Sequence, residues 1–509
     1  MHPSTLRSPR PLALLTAAAL ALGACATPGG AGGGEGGAAI DPPKVSVDLA
    51  PEAIAARAEA RTLTLLKAMN RPAHEGEIAF VESIELGEPT ALNPQGLRVQ
   101  RYQLSNGLRV LIWEDHTAPV FAYQTWISVG SRHESLGKTG IAHLFEHLMF
   151  KETRNTPAGE FDRLMESKGA QTNAATWLDW TMYREELPAG NLELAVRLEA
   201  DRLEHMILSA EQLESEREVV KNERRYRVDN DPEGTMFELL YATAFTRHPY
   251  SWPTIGWMKD IEAITLEDCL AFYATNYAPN NATLVVVGDV DTEEALALVN
   301  AHYGHMKPST LKPEWMEPEP TQVAERRRLL TMPLSSPKLL LGYHIPGLTD
   351  PDHAAVQVLH KILFGGESGR LYRRLVVETE LASDASAWVS EFTYPGLYEI
   401  LITLKEKGDP DRVEGVVAEE LDKLTRDPVT AQELEKAKNQ LEAHFLRNIQ
   451  SVGDRAYGLG HYAITGGDPR LLFEVTEHTR AVSAEDVLRV AGRYLTPKNR
   501  TVVTALPRP

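Results

Sequence analysis

The sequence predicts an α+β protein of two homologous halves, each a mostly antiparallel sheet with helices packed on one face. Three observations favour this fold class. The 509 residues exceed what a single hydrophobic core accommodates. Short strand patterns alternate with long helical patterns along the chain. A helix-turn-strand segment near the middle of the sequence recurs near its end.

The first residues read as a targeting segment. Arg7 and Arg10 precede the apolar run 11–22, which is too short to span a bilayer permanently. The run ends in Leu-Gly-Ala-Cys at Cys25, which resembles a bacterial lipoprotein box and implies cleavage after residue 24 and lipidation of Cys25. Ala26 then points to the periplasmic face of the outer membrane of a Gram-negative bacterium, with the membrane contacted through the lipid alone. The alternative is an ordinary secretory signal with a chance cysteine.

Composition excludes some partners. Hydrophobic residues make up 43% and charged residues 24%, which is ordinary for a globular protein. The formal charge of -19 argues against nucleic acid as the main partner. Apart from Cys25 the chain has one cysteine, Cys269, in the apolar-periodic stretch 266–272, so we expect a buried thiol and no intramolecular disulfide.

The chain divides into five predicted parts. They are a signal peptide at 1–24, a flexible Gly-rich tether and N-terminal extension at 25–96, a first half at 97–305, a Pro-rich linker at 306–325 and a second half at 326–509. Within the extension, 51–69 is predicted as a helix and 70–96 as a loop-rich lead-in.

The first half opens with strand signals. Residues 98–104 and 108–113 flank Ser-Asn-Gly at 105–107, which predicts a hairpin. Residues 121–129 predict a further strand.

An internal repeat at an offset of 218 residues defines the two halves. Residues 264–270 match 482–488, and 279–285 match 497–503, each copy reading as a capped helix, a Pro turn and a β-branched strand. Seven identities without a gap favour duplication over a chance likeness of helix ends. Cys269 becomes Val487 in the second copy, which supports a core thiol.

The residues that carry chemistry begin at His143. A helix predicted to start near Thr139 or Gly140 places His143 and His147 on one face, four residues apart, where both imidazoles can bind one ion. Glu146 lies on the same side and can reach a water on that ion. The alternative is a surface helix with two unrelated histidines, but the flanking residues of this helix are apolar.

A second helix offers the carboxylate that such a metal site needs. It begins at Ser209, where Ser209 and Gln212 form a predicted capping box. Glu216 and Glu223 lie two turns apart on one face of this helix, beside an apolar stretch. Zinc sites of this type combine three protein ligands with one open position.

These motifs resemble the pitrilysin/insulinase family of zinc peptidases with the inverted His-x-x-Glu-His order, and specifically the bacterial and mitochondrial-processing-type members. The likeness covers 97–509 and includes 169–176, 181–183 and 216–223. It implies two halves arranged as a clam around a cavity and one Zn²⁺ per chain. The ligands would be His143, His147 and Glu223.

The same resemblance implies the remaining roles. Glu146 would be the general base of peptide hydrolysis, and Glu216 a carboxylate that steadies the site. The stretch 172–176 would be an edge strand on which a peptide or unfolded segment lies, with Asn173 and Ala174 touching substrate. The alternative for Asn173 is a turn residue.

The second half departs from the family. Ser383 stands where self-sufficient members carry a Tyr, and Glu378 or Thr379 where they carry an Arg. Residues 361–365, at the 218 offset, lack the zinc motif. The departure implies a heterodimer with a family member that supplies the Arg/Tyr pair, or else a homodimer. The competing function is a scaffold or binding subunit without activity.

Overall fold

Two mixed sheets organise the protein, one in each half. The computed structural model describes residues 77–87, 97–311 and 316–508. The predicted signal peptide, the lipidated Cys25, the tether and the helix over 51–69 lie outside the described residues.

The first sheet has seven strands in the order β1-β2-β3-β7-β4-β6-β5. Only β3 and β7 run parallel among these neighbours, so the sheet is mostly antiparallel. The strands are β1 Ile78–Gly87, β2 Leu97–Leu104, β3 Arg109–Glu114, β4 Val120–Ile127, β5 Gln171–Thr176, β6 Thr181–Pro188 and β7 Ala282–Gly288.

The second sheet has five strands in the order β10-β11-β9-β12-β8, and its one parallel pair is β12 with β8. The strands are β8 Arg326–Met332, β9 Lys338–Ile345, β10 Ala382–Val389, β11 Gly396–Leu404 and β12 Arg500–Pro507. This order repeats the order β5-β6-β4-β7-β3 of the first sheet, including the position of the parallel pair. The topology therefore agrees with duplication.

Most helices of each half pack on one face of that half's own sheet, as the sequence predicts, and α5 and α13 are exceptions described below. In the first half they are α1 Ile141–Leu148, α2 Glu160–Glu166, α3 Leu192–His205, α4 Ala210–Arg224, α5 Pro232–Ala244, α6 Met258–Ala263, α7 Leu266–Asn276 and α8 Thr292–Tyr303. In the second half they are α9 His353–Phe364, α10 Arg370–Tyr372, α11 Pro410–Arg426, α12 Ala431–Arg447, α13 Val452–Thr465, α14 Leu471–Ala481 and α15 Ala484–Tyr494. Among the described residues, no helix combines the length and apolar character needed to cross a membrane.

The repeated segment folds alike in both halves. Thr265 caps α7 and Ser483 caps α15, and in each capping box the hydroxyl oxygen accepts the backbone N–H of an aspartate three residues on. Each helix leads into a 3₁₀ turn that begins with proline and then into the strand β7 or β12. The two copies of the repeat therefore agree in their folded structure, including the residue that caps each helix.

Other local predictions can be checked directly. The hairpin forms between β2 and β3, and Gly107 adopts φ 90°, which suits glycine. Cys269 is fully buried. The prediction of a loop-rich lead-in over 70–96 is wrong for Ile78–Gly87, which forms β1 and pairs along β2. Cross-strand pairing with β2 decides the conformation of this stretch.

The two halves exchange one helix each. Helix α13 of the second half lies across β4 and β7 of the first sheet. It covers the face of that sheet on which the first half's own helices do not pack. A shared apolar cluster forms there. It contains Val99, Leu111, Trp113, Ala122, Trp126, Ala175, Trp180, Met182, Val285 and Val287 of the sheet and Ala456, Leu459 and Ala463 of α13.

The exchange is reciprocal. Helix α5 of the first half lies on β12, β9 and β8 of the second sheet, with Met236, Leu240 and Ala244 fully buried. A Cβ at Gly342 of β9 would lie 3.0 Å from the Leu240 side chain, so a small residue lets the helix approach the strand closely. Neither sheet completes its core without the other half.

Polar contacts reinforce this exchange. Arg455 of α13 forms an ion pair with the buried Asp115, and the Tyr241 hydroxyl of α5 donates a short hydrogen bond to the buried Glu399 of β11. In the linker, Glu319 accepts the backbone N–H groups of Thr246, Arg247 and His248 at 2.9 to 3.1 Å. The linker is therefore fastened to the segment that follows α5.

We predict that Gly460→Ala in α13 lowers the free energy of unfolding by about 1 to 3 kcal/mol, the usual range for overpacking. The new Cβ would lie 2.1 Å from the indole of Trp126, which is fully buried and donates to Gln124 at 2.9 Å. Gly415→Ala in α11 is the matched control because no atom lies within 4 Å of its Cβ position, and it should be neutral or stabilising. Urea unfolding midpoints of the two variants measure the difference, and equal midpoints would contradict this packing.

Candidate metal centre

Helix α1 begins at Ile141, close to the predicted start, and a half-buried carboxylate holds its first turn. Glu134 accepts the backbone N–H of Gly140 at 2.9 Å and that of Ala142 at 2.8 Å. These backbone N–H groups have no hydrogen-bond acceptor within the helix. The Glu134 carboxylate supplies one, so the buried donors do not remain unsatisfied. Burial also raises the pKa of Glu134.

A second acid fixes the loop that leads into α1. Asp260 accepts the Thr139 hydroxyl at 2.7 Å and the backbone N–H of Gly137 at 3.2 Å. Gly140 has φ 91°, and a Cβ there would lie 2.6 Å from the carbonyl oxygen of Ile255. Only glycine satisfies both the conformation and the close approach. The start of helix α1, which carries His143 and His147, is therefore fixed by its surroundings.

The three predicted ligands converge. The Nε2 atoms of His143 and His147 lie 3.6 Å and 3.4 Å from Oε2 of Glu223. One ligand atom from each of the three residues falls within 4.8 Å of the others, and among the described residues they form the one such group of His, Cys, Asp or Glu side chains. Helix α4 packs directly on α1, which brings Glu223 across to the histidines.

The charge state of these groups suits a cation. Burial lowers the pKa of His143 to about 4, so its imidazole is neutral near pH 7. Burial alone would raise the pKa of Glu223, but His147, His143 and Arg227 together lower it to about 2. Neutral imidazole and ionised carboxylate are the forms that bind a metal.

One carboxylate oxygen of Glu223 is paired with Arg227, and the other is available to bind a metal ion. The guanidinium Nε of Arg227 lies 2.9 Å from Oε1 of Glu223. Oε2 is buried and accepts no hydrogen bond from the described residues, although it faces both imidazoles. A buried carboxylate oxygen without a donor is costly unless a cation is bound there. The residues present therefore fit a metal ion.

Glu216 lies on the far side of His147. Its Oε2 is 3.6 Å from Nδ1 of His147, and its Oε1 is 2.6 Å from Nζ of Lys151. Burial raises the pKa of Glu216, but His147 and Lys151 outweigh it and lower the value overall. An ionised Glu216 orients the imidazole so that Nε2 faces Glu223.

Helix α4 is positioned at both ends. The predicted capping box forms, since the Ser209 hydroxyl accepts the backbone N–H of Gln212 at 3.2 Å. At the other end the buried Arg224 donates to Glu238 of α5 at 2.7 Å and to the carbonyl oxygen of Gly256 at 2.8 Å. Arg224 thereby ties the end of α4 to the exchanged helix and to the contact beside Gly140.

Glu146 lies next to the predicted metal ligands and close to two tyrosines. Burial raises the pKa of the Glu146 carboxyl to about 7, although His147 and the nearby Thr176 hydroxyl oppose the rise. Two tyrosines that influence each other lie close by, Tyr183 and Tyr277, whose hydroxyl oxygens are 2.8 Å apart. A carboxyl group with a pKa near neutrality can both accept and return a proton.

Strand β5 is the edge strand of the first sheet, as predicted. It pairs with β6 on one side, placing Asn173 opposite Arg184 and Ala174 opposite Tyr183. The Asn173 side chain accepts the backbone N–H of Ala174 at 2.9 Å. The alternative interpretation of Asn173 as a turn residue is wrong because the residue lies within a strand. Thr176 at the end of β5 brings this edge beside Glu146.

The second half lacks a comparable group among its described residues. Lys361 and Gly365 occupy the positions of His143 and His147 at the 218 offset. Ser383 lies at the start of β10 and donates its hydroxyl to the carbonyl oxygen of Thr403 at 3.1 Å. This serine is thus engaged with its own sheet.

Three residues that hold the site were missed in the sequence. Arg227 stands four residues after Glu223, a helical spacing that could have suggested the ion pair. Glu134 and Asp260 gave no comparable signal because their partners are backbone groups of a distant loop.

Comparisons with known proteins agree with this geometry. A family profile described as Insulinase (Peptidase family M16) matches residues 109–256, and one described as Peptidase M16 inactive domain matches residues 263–441. The chain is 31% identical over 408 residues to the zinc protease PqqE of Helicobacter pylori, spanning 79% of this chain and 92% of that protein. It is 28% identical over 409 residues to the mitochondrial-processing peptidase subunit beta of Lentinula edodes, spanning 78% and 87%.

The fold is also found in solved structures. The crystal structure of a protease from Helicobacter pylori superposes with a TM-score of 0.77 at 31% identity, covering 80% of this chain and 99% of that one. A structure from Pseudomonas fluorescens described as a peptidase M16 inactive domain superposes with a TM-score of 0.71 at 22% identity, which shows the fold alone. The two sheet-and-helix halves thus match the clam-like two-domain M16 peptidases, and the chain belongs to the M16 (insulinase) family, several members of which are named zinc proteases.

Proposed function

We propose that the protein is a zinc-dependent endopeptidase that hydrolyses peptides or unfolded polypeptide segments in the bacterial periplasm. The observation that carries the proposal is the convergence of His143, His147 and Glu223, with Glu146 three residues after His143 and directly before His147 on the same helix. The names of the curated relatives support zinc as the metal. One Zn²⁺ would be held per chain.

A zinc ion held by these three residues would supply Lewis acidity towards a peptide carbonyl and towards an attacking water. Glu146 then acts as the general base, because its carboxyl lies on the same face of α1 as the ligands and its raised pKa suits proton transfer near neutral pH. It accepts the water proton and returns it to the departing amine. Glu216 and Arg227 keep His147 and Glu223 oriented throughout.

The substrate would lie along the open edge of β5. An extended peptide can add there as a further strand, bonded through its backbone, with Asn173 and Ala174 alongside it. Backbone pairing accepts many sequences but requires an unpaired strand, so folded proteins are excluded and flexible segments are accepted.

We predict about one zinc per purified chain, with His143→Ala and Glu223→Gln losing it because each removes a ligand. Glu146→Gln should retain zinc and lower the rate of cleavage of a quenched fluorescent peptide by about 100- to 10,000-fold, the range for loss of a general base. Elemental analysis and the peptide assay measure the two quantities separately.

Glu218→Gln is the matched control, since Glu218 lies on α4 but pairs with Lys221 on the solvent side. It should keep both zinc and activity. A Glu146→Gln protein that cleaves as fast as the wild type would rule out this mechanism.

We further propose a family member as partner, as a heterodimer or, failing that, a homodimer. Ser383 stands in place of the expected Tyr, and Glu378 or Thr379 in place of the expected Arg. The second half therefore does not itself offer the side chains that the resemblance assigns to holding substrate. The profile described as an inactive domain matches residues 263–441, a range that includes Ser383.

We predict that the chain alone cleaves the quenched peptide weakly and that an added homologue carrying the Arg/Tyr pair raises the rate at least tenfold. Sedimentation should show a complex of the two chains. A zinc-loaded protein that stays inert in every combination would instead favour the scaffold function.

We also propose lipid anchoring at Cys25, on the periplasmic face of the outer membrane. The support is the sequence Leu-Gly-Ala-Cys after an apolar run, followed by Ala26. We predict that Cys25→Ala moves the protein from the membrane fraction to the soluble fraction without changing its zinc content. Recovery of the variant in the membrane fraction would argue for another mode of attachment.

A further inference from the structure

The turn between β5 and β6, residues 177–180, lies directly against the segment that leads into helix α1. The backbone N–H groups of Ser131 and Arg132 donate to carbonyl oxygens of this turn, each at 3.0 Å. A Cβ at Gly130 would lie 2.4 Å from the carbonyl oxygen of Trp177, so this contact leaves no room for a side chain there. The edge strand β5 is therefore joined, through the turn that follows it, to the segment that precedes α1.

Asp179 in this turn is 1% exposed, and its carboxylate accepts hydrogen bonds from three separate segments. Oδ1 accepts the Nε–H of Arg132 at 2.5 Å and the hydroxyl of Tyr250 at 2.7 Å. Oδ2 accepts the backbone N–H of Thr393 at 3.0 Å. Arg132 precedes α1, Tyr250 follows α5, and Thr393 lies in the loop between β10 and β11 of the second half. One buried carboxylate thus connects the end of β5 to two other parts of the first half and to the second half.

Two of these partners belong to segments that support the start of α1. Two residues after Arg132, Glu134 accepts the first backbone N–H groups of the helix. Residues 250–256 include the carbonyl oxygen that packs against Gly140, and the Trp252 indole among them donates to a backbone carbonyl of the lead-in at 2.8 Å. Both supports of α1 are therefore linked to the carboxylate in the β5–β6 turn.

Geometry explains this buried ion pair better than stability does. Arg132 is 6% exposed, and the cost of removing two charges from water largely offsets their attraction, so such a pair contributes little net stability. Charge-assisted hydrogen bonds are short and directional, however, and they fix the groups that they join. The Arg132 guanidinium also lies 5.2 Å from the ring centroid of Tyr394, next to Thr393. The second half thereby helps to position the edge strand of the first half.

We propose that Asp179 is a positioning residue that sets the spacing between the edge strand β5 and helix α1. A peptide added to β5 would be held by backbone pairing, and its scissile carbonyl would reach the metal centre only where the strand lies at the correct distance from α1. Loss of the Asp179 contacts leaves the pairing along β5 intact but displaces the carbonyl. This inference rests on the proposed peptidase function, because it assigns a role in that reaction.

Asp179→Asn tests this role, because the amide keeps the size of the side chain but loses its charge and one acceptor. We expect kcat for the quenched peptide to fall about 10- to 100-fold while KM stays within about twofold, as a small misplacement of the reacting groups implies. The variant should retain as much zinc as the wild type. Elemental analysis and steady-state kinetics measure these quantities.

Asp352→Asn is the matched control. Asp352 is also buried, and it accepts hydrogen bonds from Arg489, Arg493 and Tyr494, which all lie on α15 of the second half. Its loss should disturb the second half alone and leave kcat within about twofold of the wild type. A fall in kcat that Asp352→Asn reproduces, or that a loss of zinc accompanies in proportion, would show a general loss of structure and overturn the inference.

Tyr250→Phe is the milder variant in case Asp179→Asn does not fold, which circular dichroism reports. It removes one donor and leaves the carboxylate with Arg132 and Thr393. We expect kcat to fall about 3- to 10-fold with KM unchanged, as the loss of one hydrogen bond implies. An unchanged kcat in Tyr250→Phe and in a folded Asp179→Asn would overturn the inference.

Amide hydrogen exchange tests the same contacts without requiring cleavage. Residues 130–142 should exchange faster in Asp179→Asn than in the wild type, because the contacts that hold this segment are weakened, and they should not do so in Asp352→Asn. Unchanged exchange of this segment in Asp179→Asn would overturn the inference. A zinc-loaded wild type that stays inert would instead overturn the proposed function, whereas an active wild type with an unaffected Asp179→Asn variant would overturn this inference alone.

Discussion

The reciprocal exchange of α5 and α13 is the constraint on which the rest of the structure depends. Each sheet carries a large apolar face that its own helices do not cover, and the other half supplies the missing helix. Burial of apolar surface is the dominant favourable term in folding, so this exchange joins the halves more firmly than the linker does. It also fixes where the two edge strands lie relative to each other, because the loops after β5 and β10 pack together beside the exchanged helices.

The exchange of α5 and α13 also determines the geometry of the candidate metal centre. The end of α4, which carries Glu223, is tied through Arg224 to Glu238 of the exchanged α5. The start of α1, which carries the histidines, is tied through Glu134 and Asp260 to the loops around it. The predicted ligands therefore meet at one point because the start of α1 and the end of α4 are each held by hydrogen bonds to neighbouring segments. Sites built on fixed helices keep their geometry better than sites built on loops.

Electrostatics at the centre follow from burial and pairing. Arg227 and the two imidazoles keep Glu223 ionised, whereas Glu146 lacks a comparable cationic partner and is raised towards neutrality by burial. The pKa of Glu223 is thus lowered and that of Glu146 raised. The ionised Glu223 is suited to binding a cation, and Glu146 is suited to transferring a proton. Their difference is a property of the surroundings, since the side chains are chemically identical.

Sequence reasoning reached those features whose signals are local. The caps of α4, α7 and α15, the hairpin at Gly107 and the spacing of His143 and His147 each depend on neighbours a few residues apart, and each is found as expected. The internal repeat also predicted the overall architecture, because two copies of one sequence pattern imply two similar sheets. Strand β1 and the helix exchange depend on partners far along the chain, and the role of Glu134 depends on backbone groups of a folded loop. None of these contacts produces a residue pattern that can be recognised in a short stretch of sequence. For Asn173 the residues alone left a strand and a turn open, and pairing with β6 decides for the strand that the resemblance implied.

The position of α13 along the chain also has a consequence for biosynthesis. The first sheet is synthesised by residue 288, yet the helix that covers its second face begins only at Val452. Until those residues leave the ribosome, helix α13 cannot cover Trp113, Trp126 and Trp180 on this face of the sheet. Exposed apolar faces of this kind attract other unfolded chains, and chaperones bind them. The nascent first half therefore depends on a holding factor, or on delayed folding, until nearly nine-tenths of the chain has been made, about 450 of its 509 residues.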